Sequence, residues 1–99
     1  MSQPSPQANR IITLSLEPND PQRLASLCGQ QDEHLKLIES RLDVTLRNRG
    51  NVFQLAGAAN RIKAAANVLE HLYRETAADE LSADTVHLFL QESGLEALE

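Results

Sequence analysis

The 99-residue chain has one cysteine, no tryptophan and only three aromatic rings, Phe53, Tyr73 and Phe89. A lone Cys28 excludes an intrachain disulfide and a cysteine-rich zinc site. It fits a reducing compartment, so a cytoplasmic location is expected. Three rings are too few for an aromatic platform that stacks bases. No apolar run approaches the roughly 20 residues of a membrane span. Residues Met1–Asn9 (MSQPSPQAN) have no apolar core and do not read as a secretory signal. The four glycines, Gly29, Gly50, Gly57 and Gly94, never form the G-x-x-x-x-G-K-[ST] phosphate loop. Excess positive charge is missing too: 9 basic against 14 acidic residues give a formal charge of −5. Taken whole, that balance argues against a phosphate-binding protein. Its distribution weakens the argument. Residues 10–74 carry 9 basic and 7 acidic residues, a balance of +2, whereas residues 75–99 carry 7 acidic and no basic ones.

With 41% apolar and 23% charged residues, the composition is that of one globular domain. Residues 1–9 are expected to be a disordered leader. Ile12, Leu14 and Leu16 alternate with Thr13 and Ser15, which predicts a strand over Ile11–Leu16. Asp20-Pro21 is a helix start, with Asp as N-cap and Pro at the first position. Leu24 and Leu27 share a face of that helix, and Gly29 stops it. Asp32 is the expected N-cap of a second helix with Leu35, Ile38 and Leu42 on one face, closed by Asp43. Val44–Arg49 alternates, Gly50-Asn51 turns, and Phe53 and Leu55 continue to Gly57, an antiparallel hairpin. The clearest helix spans 58–75, with a stripe of Ile62, Ala65, Ala66, Leu69, Leu72 and Tyr73. After an acidic connector, Ser82 caps a last segment with Val86, Phe89 and Leu90 inward and its end at Gly94. That segment reads as helix or as strand. The order predicts an α/β (α+β) two-layer sandwich with a three-stranded sheet and one extra C-terminal helix.

Chemistry-bearing constellations are sparse. His34, His71 and His87 lack the i, i+4 spacing of a helical metal site and read as ordinary, partly exposed residues. Cys28 reads as packing filler, and His34 six residues on gives no support for a Cys-His pair. Ser26 and Ser40 have no triad context, and the carboxylates are scattered. This chain is not expected to be an enzyme or to hold a metal. Lys36 lies one turn into the second helix, and Arg47 and Arg49 alternate outward on the second strand. They read either as a solvated face or as a rim that contacts phosphate.

The junction Leu27-Cys28-Gly29-Gln30-Gln31-Asp32-Glu33-His34-Leu35-Lys36-Leu37-Ile38-Glu39 joins two helices in a βααββα order. In this it resembles the KH domain of RNA-binding proteins, whose G-x-x-G loop holds phosphates of a single strand. Here the four residues are G-Q-Q-D: Asp32 stands where the family has its second glycine, and its carboxylate repels phosphate. The other reading of the junction is a helix–turn–helix corner, with Gly29 as C-cap and Asp32 as N-cap. The resemblance marks Gly29, Gln30, Gln31, Lys36, Arg47 and Arg49 as candidate nucleic-acid contacts, and implies that Lys36, Arg47 and Arg49 flank the groove opposite this loop.

A wider resemblance covers nearly the whole chain from Ile11. Its segments are L-E-P-N-D, L-C-G-Q-Q-D-E-H-L-K-L-I-E, R-N-R-G-N-V-F-Q-L-A-G, A-A-A-N-V-L-E-H-L-Y and L-S-A-D-T-V-H-L-F-L. Together they are similar to the N-terminal region of bacterial PhoH-like, phosphate-starvation-inducible proteins. The resemblance implies a KH-like module over 10–75 and an acidic connector and helix over 76–99. These would lead to a P-loop ATPase domain beyond residue 99 that acts in RNA metabolism. ATP and Mg would belong to that domain, and this chain itself would carry no cofactor. The implied partners are single-stranded RNA, bound weakly, and the ATPase domain of the same chain, through which it would oligomerise. A degenerate module that binds protein instead of RNA is the alternative that Asp32 raises.

Overall fold

The computed structural model describes residues 10–91. Residues 1–9, and the expected helix end at Gly94, lie outside the described residues. The elements in order are β1 (Arg10–Ser15), α1 (Pro21–Cys28), a 3-10 turn (Gln30–Asp32), α2 (Glu33–Leu42), β2 (Thr45–Arg49), β3 (Val52–Gly57), α3 (Ala59–Glu75) and α4 (Ala83–Phe89). The three strands form one antiparallel sheet in the order β1-β3-β2. This is the α+β sandwich that the sequence pattern predicts. The ambiguous last segment is helical.

The hairpin sets the register. Gly50 and Asn51 form a two-residue loop, and Gly50 supplies the positive φ of +59° that the turn needs. Opposite residues then share a face: Leu46 with Leu55 and Ile12 on one side, Arg47 with Gln54 and Thr13 on the other. Among the described residues helices cover only the first side. Phe53 and Leu55 on the central strand are fully enclosed there, and each such side chain stabilises the fold by about 1.5–3 kcal/mol. Asn51 also extends the hold on β1, since its side-chain amide donates to the Leu16 carbonyl at 2.8 Å.

Asp20 caps α1 as its position predicts, with Oδ1 accepting from the backbone N–H groups of Gln22 and Arg23 at 3.0 and 3.4 Å. Helix α3 packs on β1, β3 and α1, with Ile62, Ala65, Leu69, Leu72 and Tyr73 buried. Ala64 and Val68 are buried as well, while Ala66 is only half-buried. The stripe is wider than the sequence reading had it, because α2 and α4 also lie against α3. Val86 and Leu90 join the same core cluster.

The connector after α3 is fastened to α1. Arg23 lies over the Tyr73 ring at 4.4 Å and donates to Thr76 Oγ1 at 3.0 Å and to the Tyr73 carbonyl at 2.8 Å. Further on, the Leu81 N–H donates to Ser26 Oγ at 2.9 Å.

Candidate functional site

The α1–α2 corner is built around one glycine and one histidine. Gly29 ends α1, donating its N–H to the Ala25 carbonyl at 2.9 Å with φ +80° and ψ 176°. A Cβ at that position would sit 2.8 Å from Cγ of Glu33 and 2.9 Å from Cγ and Nδ1 of His34. The backbone then passes through Gln31 and Asp32, both left-handed at φ +53° and +59°. The His34 side chain returns from α2 beneath this turn. Its Nδ1 lies 3.1 Å from the Ser26 carbonyl and 3.2 Å from the Leu27 carbonyl. Both partners are acceptors, so Nδ1 carries the proton and donates to the free carbonyl end of α1.

This corrects two readings of the sequence. His34 is 3% exposed, not partly exposed, and it is the residue that fixes the corner. A signal for it existed: His34 stands four before Ile38 and eight before Leu42, on the buried stripe of α2. Asp32 does not cap α2 with its side chain. An N-cap needs extended backbone, whereas Asp32 is left-handed.

On one side of the corner runs a groove of about 400 Å³. Pro21, Leu24, Ala25 and Cys28 form an apolar wall; Gly29 and Asp32 lie at the corner; Asn48 and Gly50 close it from the hairpin. Burial pushes the Cys28 thiol up to about 11, and the Asp32 carboxylate adds to the shift. Cys28 is therefore a neutral, inert thiol. Its alkylation by iodoacetamide at pH 8 is expected to be on the order of 100-fold slower than that of an unfolded thiol. A mass-spectrometric time course checks this, and alkylation at the unfolded rate would refute it. A group with a raised pKa holds its proton more tightly when folded. Stability is therefore level below the ordinary value of 9.0 and falls as pH rises from there towards 11.

The candidate contact residues do not converge on this groove. Gly29 lines it. Gln30 lines a different cleft, on the connector side of the corner, and Gln31 is exposed on the turn between them. Arg47 and Arg49 correct the expectation that they flank the groove. The register puts them on the open face of the sheet, opposite Gln54 and Val52, with Arg47 beside Ile11, Thr45 and Ala56. Lys36 is exposed on α2 and is not among the groove-lining residues either. Among the described residues the groove thus carries one carboxylate and no cation. Among the described residues no group of three or more His, Cys, Asp or Glu is placed to hold a metal ion. Among the same residues no helix is long and apolar enough to cross a membrane. No family model matches the chain.

Proposed function

We propose that this chain is the N-terminal, KH-like accessory module of a cytoplasmic PhoH-like P-loop ATPase, and that its groove takes a short single strand of RNA at low affinity. The observation that carries the reading is the groove's position, between the Gly29 corner and the β2–β3 turn. That is where a βααββα nucleic-acid module holds its strand. The five segments that resemble PhoH-like proteins support the parent. ATP and Mg would act in the ATPase domain, whose phosphate loop this chain does not contain. The module itself performs no chemistry.

The groove's composition dictates how a strand would be held. Leu24, Ala25 and Pro21 offer an aliphatic wall for a base or ribose. Asn19 and Asn48 offer amides for base edges. With no cation among the described residues that line the groove, few phosphate counterions would be released, so the salt dependence would be shallow. Titration of a four-nucleotide single-stranded RNA into the ¹⁵N-labelled chain tests this. Saturable amide shifts at Gly29, Asn48 and Gly50 are expected, with affinity rising roughly tenfold in Asp32→Gly as a like charge leaves the strand's path. No shift at these amides in either chain would refute RNA binding.

One observation favours a second reading, a KH-shaped module that binds protein. Among the described residues the only charge in the groove is negative, and Arg47 and Arg49 lie on the open sheet face. On that reading RNA binds Asp32→Gly and not the unaltered chain.

A further inference from the structure

A sheet in the order β1-β3-β2 has two edges, and they are treated differently. On β2, Glu39 reaches over from α2, and its Oε2 accepts from the Leu46 N–H at 2.7 Å. A side chain thus occupies that edge, which keeps it from pairing with another chain. On β1 the register decides which backbone groups face outward. The Leu16 N–H donates to the Asn51 carbonyl at 2.9 Å, and pairing with β3 is continuous from Arg10 to Ser15. The backbone groups of Arg10, Ile12 and Leu14 therefore face β3, and those of Ile11, Thr13 and Ser15 face away from it. Among the described residues no backbone carbonyl accepts from the latter three N–H groups. No proline or bulge interrupts the strand, and Ile11 and Ile12 are 66% and 39% exposed. Such an edge is a template for an added strand.

A groove of about 320 Å³ lies beside the same edge, between β1 and α3. Ile12, Ile62 and Ala66 make its apolar part, and Arg10 and Lys63 its charged rim. A strand added to β1 would place its helix-side residues over this groove, where aliphatic side chains fit. The sequence of β1 meets that requirement itself. Antiparallel pairing of two copies about Thr13 uses every outward-facing residue, with Thr13 opposite Thr13 and Ile11 opposite Ser15. On the helix side Ile12 then lies opposite Leu14 of the second copy, and Arg10 opposite its Leu16, so no like charges meet. Charge complementarity on α3 points to the same occupant. Helix α3 runs alongside β1: Ile12 shares the groove with Ile62 and Ala66, while further along the Tyr73 hydroxyl donates to the Pro18 carbonyl. A two-fold axis at Thr13 therefore sets α3 antiparallel to its copy. Lys63, Asn67 and Glu70 are exposed at i, i+4 and i+7 on one stripe. Across the axis Lys63 of each copy comes beside Glu70 of the other, and neither residue has an ion-pair partner among the described residues of one chain.

We propose that the chain forms a two-fold dimer in which β1 pairs with β1 of a second copy and the two sheets become one. The assembly closes at two copies, because each spends its open edge and Glu39 holds the other. The proposal is independent of the RNA reading, since no β1 residue lines the groove at the Gly29 corner. The test is sedimentation equilibrium of the full chain from micromolar to millimolar concentration, with amide hydrogen exchange over the same range. A monomer–dimer equilibrium is expected, with exchange at Ile11, Thr13 and Ser15 slowing as concentration rises. Asn48, whose N–H faces outward on β2, is the control and is expected to be unaffected. Thr13→Pro removes an N–H that faces solvent in the monomer, a place where an edge strand tolerates proline. It is expected to weaken association on the order of 100-fold. Lys63→Glu is expected to weaken it roughly tenfold, and adding Glu70→Lys to restore it. A monomer at every concentration, growth beyond the dimer, or association of Thr13→Pro as tight as the parent's overturns the proposal. Protection at the β1 amides that does not vary with concentration also overturns it, because the chain would then cover its own edge.

Discussion

Replacing Gly29 by alanine is expected to cost about 3 kcal/mol of folding stability, read as a lower urea midpoint at unchanged m-value. Two effects add. Backbone at φ +80° and ψ 176° is essentially glycine-only, and a side chain there costs of order 1–3 kcal/mol. The new Cβ also meets two neighbours within 2.9 Å, and they differ in how far they yield. Glu33 is exposed and swings away at little cost. The His34 ring is enclosed and bonded to two carbonyls, so moving it weakens hydrogen bonds of roughly 1 kcal/mol each. Gly50→Ala is the control. It too has a positive φ, +59°, but a Cβ there meets nothing within 4 Å, so only strain of about 1–2 kcal/mol is expected. If Gly50→Ala proves as costly as Gly29→Ala, the corner is not packed as described.

The elements were legible in the sequence wherever local rules and packing agreed. Asp20-Pro21 starts α1 because a side-chain cap and a fixed φ need only adjacent residues. The Gly50-Asn51 turn and the alternation around it set the hairpin. Asp32 shows where local rules fail. Its residue type and place suit a cap, but the 3-10 turn before it runs into α2 through two left-handed residues. A rule that assumes extended backbone has no purchase there. Arg47 and Arg49 fail for another reason. Alternation shows that they oppose Leu46, and Leu46 is buried under the helices. The groove opens on the helix side of the sheet, so side chains that oppose Leu46 point away from it. Face parity was readable; which face borders the groove required the placement of α1 across the groove from Asn48 and Gly50. His34 was hidden by its polarity. A buried ring is tolerable only with partners, and those partners are backbone carbonyls that no side-chain pattern reveals.

The second large effect is expected from His34→Leu, about 2 kcal/mol. Leucine keeps enough volume that the cavity contribution stays small. What is lost is the donor. The Ser26 and Leu27 carbonyls lie at the end of α1, where helix carbonyls have no intrahelical partner. Leaving a buried acceptor unpaired costs about 1–3 kcal/mol. Ser26 lines the open cleft, so water re-satisfies its carbonyl. Leu27 is fully enclosed and carries most of the cost. His34→Gln retains an N–H donor, and partial recovery of stability would separate the hydrogen bond from the ring's bulk. A double-mutant cycle then joins the two predictions. In a His34→Ala background the ring that meets the Gly29 Cβ is gone. Gly29→Ala should therefore cost about 1 kcal/mol less there than in the parent, leaving only backbone strain. Zero coupling would mean that the corner's glycine answers to its dihedrals alone. Measured coupling of the expected sign would establish that one side chain both caps α1 and shapes the turn.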